Sequence, residues 1–495
     1  MLNTLRTTFK SSLIYGLGNI SIKVIGLLLF PIYTSELSVA EYGVLGMLEV
    51  TSQIVIALFS LNLQAAFLRL YYSKDFSQKQ GVMLFSSIAF LFVCVGLMFA
   101  FTLPVSGYLS RTLLHSEEFT PLIKLMLISS GIQIINTIPS NLLRILEKPT
   151  YYSVSMVIRM VATLFITIYL MLKLQMGIEG IFLAQIIGHI LYFGIVAKVI
   201  FTQSTAVFSL HMIRSMLVFS LPLVFSSVAN VLLSVLDRYC LSFMTSMSEV
   251  GIYSAGFKIA NTLLLVFSSF QLAITPIIYK KMNDADNKRY YSKIMTYMAF
   301  IGMILVLGMS MFGKEILKFL AQDPEYWSGY RIIPIISFGL FFNMLRYFAT
   351  TGLNIAMKTK HIAFYTVLVS LLNIGLNILL ISIFNYIGAA IATLISHFVF
   401  MILIYRSSQK AYNIPYEVRK IVLILIISLV LLGLAYLTND LSLAMRLIIK
   451  SLLIASFPFI LYIFRFYEAI ELERIEEAWN RWSPFHKKNK SNEKT

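Results

Sequence analysis

Glu41-Tyr42-Gly43 is matched further along the chain by Glu249-Val250-Gly251, 208 residues away (41 to 249). The same offset holds elsewhere. Ser129 and Gly131 meet Ser337 and Gly339, while Gly180, Ala184, Ile187 and His189 meet Gly388, Ala392, Ile395 and His397. One offset shared by three separated segments reads as an internal duplication. Around these markers the 495-residue chain contains stretches long and apolar enough to cross a bilayer, which takes about 20 residues. They lie at 11–34, 43–66, 82–107, 121–142, 151–173, 178–201, 214–241, 250–275, 293–312, 331–352, 361–383, 386–405, 417–437 and 444–464. The first six of these fourteen stretches are repeated in the next six. Duplicated transmembrane halves suit a transporter in which two lobes rock about a central site.

Composition agrees: hydrophobic residues make up 58% and charged residues 13%. Backbone groups in hydrocarbon must be satisfied internally, so the spans are expected to be helices. The short alternating segments of a transmembrane barrel are not seen. With the N-terminus inside, 27 of the 40 Lys and Arg residues fall in termini and inner loops and 7 in outer loops. By the positive-inside rule both termini are expected in the cytoplasm of a bacterial inner membrane. The net charge of +17 then calls for no nucleic-acid partner. The first stretch, with Lys23 at its centre and no small-residue cleavage pattern, does not read as a cleaved signal peptide. Cys94 and Cys240 suggest neither a disulfide framework nor a metal site.

The expected fold is an all-α integral membrane protein with fourteen transmembrane helices. Six is an even number, so the repeats run parallel about an axis along the membrane normal. The expected divisions are an N-lobe at 1–201, a cytoplasmic linker at 202–213 and a C-lobe at 214–410. An appended helix pair at 411–466 and a surface helix with basic tail at 467–495, near Trp479 and Trp482, complete the chain. The outer loops are short and hold no nucleophile–base constellation, which argues against an enzyme such as a membrane polymerase or ligase. No phosphate-binding glycine loop is present, so direct ATP drive is not expected.

Six cations fall within spans. Lys124 and Lys450 lie near helix ends, where they could snorkel to the interface. Lys23, Arg159, Lys258 and Arg346 are deeper. A charge at the bilayer centre costs about 2.5–3.5 kcal/mol on insertion scales, so such residues tend to face a cavity or a partner. Spacings of three, four and seven place polar neighbours on the same helix faces: Asn19 with Lys23 and Gly26, Glu49 with Gln53, Gln133 with Asn136, Asn230 between Ser226 and Ser234, Lys258 with Asn261, and Asn343 with Arg346. These residues are expected to line a cavity of positive sign, suited to an anionic phosphate or diphosphate cargo. Interhelical hydrogen bonding is the alternative: it can explain the Asn, Gln and Ser positions taken singly, but it explains the unpaired cations less well. Glu49, Asp237 and Arg238 are candidates for coupling or gating, and Glu49 and Lys258, at near-equivalent places in the repeats, are expected to pair across a cleft.

Two stretches carry a family resemblance: Pro31-Ile32-Tyr33, Leu37 and Glu41-Tyr42-Gly43, and Asp237-Arg238-Tyr239 followed by Glu249-Val250-Gly251-Ile252-Tyr253-Ser254-Ala255. They resemble the oligosaccharide-lipid flippase branch of the multidrug/oligosaccharidyl-lipid/polysaccharide exporter superfamily, which includes the O-antigen (Wzx-type) flippases. The resemblance implies a V-shaped pair of six-helix lobes around a cationic cavity. It also implies a cargo, an undecaprenyl-diphosphate-linked oligosaccharide moved from the inner to the outer leaflet for surface polysaccharide assembly. No cofactor is expected, and proton coupling, sodium coupling or membrane potential would each fit. Expected partners are the lipid-linked glycan, membrane lipids and the polysaccharide polymerase and chain-length machinery, around a monomeric transport unit. A lipid II flippase and a multidrug cation antiporter are the rival readings. The antiporter calls for deep acids in the first lobe, and the first stretch has Lys23 instead.

Overall fold

The computed structural model describes residues 25–473, apart from 74, 75, 77, 283 and 285. Asn19, Lys23 and most of the first expected span therefore lie outside the described residues, as do Trp479, Trp482 and the basic tail. Among the described residues every regular element is helical. Twelve helices there are long and apolar enough to cross a membrane. The expected spans at 361–383 and 386–405 form one continuous element, Thr359–Ala411, broken at Asn385 (φ 50°, ψ −134°). The chain folds back there. Asn373 Nδ2 donates to Ser396 Oγ at 3.0 Å, and a methyl group on Gly388 would sit 2.0 Å from the Leu380 carbonyl oxygen.

The duplicated markers have a local cause. Ser38 accepts the Glu41 N–H, and the Ser38 N–H donates to Glu41 Oε2 at 2.8 Å, a capping box that starts the helix Val39–Phe59. At the equivalent place Ser246 accepts the Glu249 N–H and starts Met247–Ala260. Such caps satisfy amides that a helix start leaves unpaired. Two residues after each Glu comes the repeated glycine. A methyl group on Gly43 would lie 2.0 Å from the Met247 carbonyl oxygen, and one on Gly251 would lie 1.9 Å from that of Val39. Val39 and Met247 are themselves related by the 208-residue offset, as are Gly46 and Ser254, which also touch. The two capped helices thus cross at a pseudo-two-fold axis, held together by small residues that let their backbones meet.

By packing, the chain forms two compact units. One compact unit comprises Met1–Asp284 and Gly313–Asn413, so both repeats contribute to it. The crossing at Gly43 and Gly251 gives the physical reason. The second unit comprises Ala285–Phe312 and Ile414–Thr495, joining the start of the helix Asn287–Leu320 to the helices Val418–Tyr436 and Leu443–Ile463. Within it Phe300 stacks on Phe457 at 5.9 Å and contacts Phe466 at 6.0 Å. Lys450, expected to reach the interface, is instead buried at 2% exposure, whereas Lys124 is exposed.

An ion-pair network also organises the second unit. Lys293 donates to Glu417 at 2.8 Å and to Glu468, Lys420 lies 3.2 Å from Glu417, and Tyr297 donates to Glu471. Burial alone would raise the Glu417 carboxyl, but hydrogen bonds from Lys293 and Lys420 outweigh it and hold the group below the usual carboxylate range. The Lys293 hydrogen bond does the same for Glu468. Carboxyls depressed in the folded state contribute stability above their unfolded value and lose that contribution as the pH falls through the folded one. Lys293→Met is therefore expected to lower the thermal midpoint of the purified protein at neutral pH. The gap to wild type should close as the pH drops below about 4. A gap independent of pH would assign the loss to packing instead.

Candidate substrate cavity

Two adjoining cavities lie within the first unit. The larger, about 660 Å³, is lined by Glu49, Gln53, Gln133, Asp237, Arg238, Lys258, Asn261 and Asn343 among others. The smaller, about 410 Å³, is lined by Tyr33, Glu49, Gln53, Gln133, Arg159, Gln185, His189 and Lys258 among others. Glu49, Gln53, Gln133 and Lys258 belong to both, so the cavities meet where the two duplicated helices have just crossed.

Lys258 stands at that meeting point, 3.8 Å from Glu49. The separation is long for a salt bridge, and the Glu49 side chain is 41% exposed, so the pair is loose and wet. Three further features steady the ammonium. Lys258 occupies the last turn of its helix, where carbonyl dipoles favour a cation. The rings of Tyr33 and Tyr42 lie 5.3 and 5.7 Å from Nζ, within cation–π range. Gly26 leaves room for the stem, since a methyl group there would lie 3.1 Å from Lys258 Cε.

Arg159 also lines the smaller cavity. One of its terminal nitrogens lies 3.3 Å from His189 Nε2. The helices Pro149–Leu172 and Gly177–Gln203 approach closely there because Gly188 faces Thr163, whose hydroxyl would lie 2.1 Å from an added methyl group. In the larger cavity Asp237 and Arg238 are both buried. Asp237 accepts from the Arg238 backbone N–H at 2.8 Å and from the Tyr253 hydroxyl. The Arg238 guanidinium lies over Phe257 at 4.2 Å, and among the described residues it forms no ion pair. Asn261 caps the end of the Lys258 helix with its side-chain oxygen buried and unpartnered.

Three expected cavity residues are placed elsewhere. Arg346 lines neither cavity. Asn343, three residues earlier on the same helix, accepts from its Nε and a terminal nitrogen at 3.1 and 2.7 Å, and the guanidinium lies over Phe400 at 4.5 Å. Asn136 is buried and donates to the His189 carbonyl at 3.0 Å, tying two helices together. Asn230 is exposed and returns its amide to Ser226 on its own helix. Both asparagines follow the interhelical or local hydrogen-bonding alternative. The cavity charge also differs from expectation. Arg159, Arg238 and Lys258 face Glu49 and Asp237, so the described lining is nearly balanced, and the excess of cations sits in the smaller cavity. His189, His397, Thr393 and Gln185 line these spaces too. Their one sequence signal was the match of His189 with His397 in the repeat.

Residues 8–282, more than half of the chain, match the family model described as polysaccharide biosynthesis protein. The chain belongs to that family. Residues 222–379 match the MatE model, so the family sits here within the multidrug/oligosaccharidyl-lipid/polysaccharide exporter superfamily, and the chain is a multi-pass membrane transporter of the flippase type. Sequence relatives include the membrane protein MJ1068 of Methanocaldococcus jannaschii, 24% identical over 406 residues covering 75% of this chain and 78% of the relative. The capsular polysaccharide biosynthesis protein CapF of Staphylococcus aureus is 28% identical over 211 residues, 40% of this chain. The match spans about half (51%) of the length of CapF. Among solved structures, the lipid II flippase MurJ in an inward closed conformation shares the fold with a TM-score of 0.74 at 17% identity, over 92% of this chain and all of MurJ. An inward-facing multidrug resistance MATE transporter aligns with a TM-score of 0.66 at 14% identity, over 81% of this chain and 94% of that one.

Proposed function

We propose that this family member is a flippase that carries an undecaprenyl-diphosphate-linked oligosaccharide from the cytoplasmic to the outer leaflet for surface polysaccharide assembly. The observation that carries the reading is that Arg159 and Lys258 both line the smaller cavity, with Glu49 as the sole carboxylate among its described lining residues. A diphosphate is the part of such a lipid that hydrocarbon rejects, and guanidinium and ammonium donors replace its hydration. The larger cavity, with Gln53, Gln133, Asn261 and Asn343, offers a polar surface for sugar. The prenyl chain can stay in lipid. The capped helices meet at the ends that the positive-inside orientation puts outside, which supports a state closed on that face. Proton or sodium coupling through Asp237 or Glu49, a monomeric transport unit, and handover to a polymerase belong to the same proposal.

The test is export of a fluorescent undecaprenyl-diphosphate-linked glycan across reconstituted vesicles. Arg159→Gln and Lys258→Gln each remove a charge-assisted contact worth about 1.5–3 kcal/mol, so each should slow flipping about 10- to 100-fold. Wild-type rates in both variants would sink the assignment. A multidrug cation antiporter is the second reading, favoured by the presence of Glu49 and Asp237 in the cavity lining. It requires efflux of a lipophilic cation that depends on these two acids and ignores Arg159→Gln.

A further inference from the structure

His189 and His397 are the only pair of histidines related by the 208-residue repeat. They line the smaller and the larger cavity respectively, and in each the Nδ1 atom is buried without a hydrogen-bond partner. The arginine that acts on each is held differently. Arg346, which acts electrostatically on His397, is fixed by Asn343 and Phe400. Arg159 has no such anchor among the described residues, and it reaches His189 Nε2 at 3.3 Å while also lining the cavity.

A guanidinium has donors and no acceptor, so a hydrogen bond at this contact uses the Nε2 lone pair of the neutral tautomer that carries its proton on Nδ1. An anion entering the smaller cavity competes for the same guanidinium. Once Arg159 turns toward it, the Nε2 lone pair is released beside a negative charge. We infer that His189 takes up a proton when a diphosphate binds at Arg159, so that anion binding and proton binding are coupled at this one site. The proton comes from solvent and adds to the Nε2 lone pair, giving an imidazolium that can donate to the phosphate. The other charged or titratable groups lining the cavity are Lys258, Glu49 and the phenol Tyr33. Of the helices packed on Gly177–Gln203, Thr120–Ile135 contributes the amide Gln133 to the lining, and Gln80–Thr102 and Thr137–Ile145 contribute no titratable lining residue. Tyr152 and Tyr192 act on Arg159. Glu49, on the helix Val39–Phe59, is the one carboxylate among the described residues that line this cavity.

The inference rests on the diphosphate reading above and concerns proton binding at His189, a site separate from the carboxylates Asp237 and Glu49. Coupling of this kind is reciprocal: anion affinity must rise with proton concentration as far as protons are taken up. The full-length protein in detergent is titrated calorimetrically with inorganic pyrophosphate and with farnesyl diphosphate, in buffers of different ionisation enthalpy. Wild type is compared with His189→Gln, so that the ligand's own proton exchange cancels in the difference. The expected result is an uptake of up to one proton per anion in wild type relative to the variant. Its affinity relative to the variant should rise up to about tenfold per pH unit lowered through the near-neutral range. Equal proton uptake in both proteins would overturn the inference while leaving the diphosphate reading intact. Absence of binding at every pH would overturn the reading, and the inference with it. A second measurement needs no variant: with ring-nitrogen-labelled histidine, pyrophosphate should convert one neutral ring to imidazolium. Six unchanged histidine spectra in the presence of bound pyrophosphate would also overturn it.

Discussion

Replacing Gly43 with alanine is expected to abolish transport, although the substitution adds a single methyl group to an ordinary helical residue. That carbon would fall 2.0 Å from the Met247 carbonyl oxygen and 3.0 Å from the Gly251 nitrogen, against a comfortable separation of about 3.5 Å. Both obstructing atoms are backbone, so no side chain can rotate away, and the helices themselves must part by about 1.5 Å. Overpacking typically costs about 1–3 kcal/mol even where side chains give way. Here the displacement also reaches the site. Glu49 lies six residues beyond Gly43, about 9 Å along the helix, so separating the helices opens the Glu49–Lys258 contact. Gly251→Ala should behave alike, because its methyl group would meet the Val39 carbonyl at 1.9 Å. Gly96→Ala is the internal comparison: the same added methyl group meets nothing within 4 Å, and it should leave flipping rate and thermal midpoint near wild type. A Gly43→Ala protein with the wild-type rate and midpoint would remove the crossing from the mechanism.

The residue equivalences behind this crossing are legible in the sequence, though the crossing itself is not. The offset marked Glu41 with Glu249 and Gly43 with Gly251, and the structure supplies their reasons: helix caps for the acids and backbone contact for the glycines. The break between the spans at 361–383 and 386–405 was also legible, and it falls at Asn385. What periodicity could not say was which polar face meets the cavity. Gln133 and Asn136 were placed on one face of one helix, yet Gln133 reaches the cavity while Asn136 turns to the His189 carbonyl. Arg346 illustrates the second limit. A deep cation needs a partner, but a neutral amide three residues away and an aromatic ring can satisfy much of that need without a cavity. The tenth expected span therefore held its charge within the protein framework. The histidines were missed for a third reason: a repeat marks which positions are equivalent and carries no information about their chemistry. Only the 3.3 Å contact with Arg159 gives His189 a role.

Lys258→Glu is expected to reduce flipping about 30- to 100-fold or more, and the companion substitution Glu49→Lys should restore part of the loss. Lys258 is the one cation that lines both cavities. Reversing it removes that charge and sets two carboxylates face to face where a cation and an anion now stand 3.8 Å apart. Breaking a buried pair costs about 3–5 kcal/mol, but the 41% exposure of Glu49 brings this pair nearer the roughly 1 kcal/mol of an exposed one, and the lost phosphate contact adds about 1.5–3 kcal/mol. The double reversal re-forms an ion pair across the crossing, so repulsion is relieved. Recovery should still be incomplete, because the present arrangement is not symmetric. Lys258 lies in the last turn of its helix, and the rings of Tyr33 and Tyr42 stand 5.3 and 5.7 Å from its ammonium. A lysine at 49 sits in the interior of the helix Val39–Phe59 without that terminal dipole, and a glutamate at 258 meets the carbonyl end of a helix with the wrong sign. Flipping rates of wild type, both single reversals and the double reversal form a cycle that isolates the pairwise contribution. A double reversal no faster than the slower single would show that the two side chains act separately. Partial rescue, with the double still below wild type, is the outcome the geometry requires.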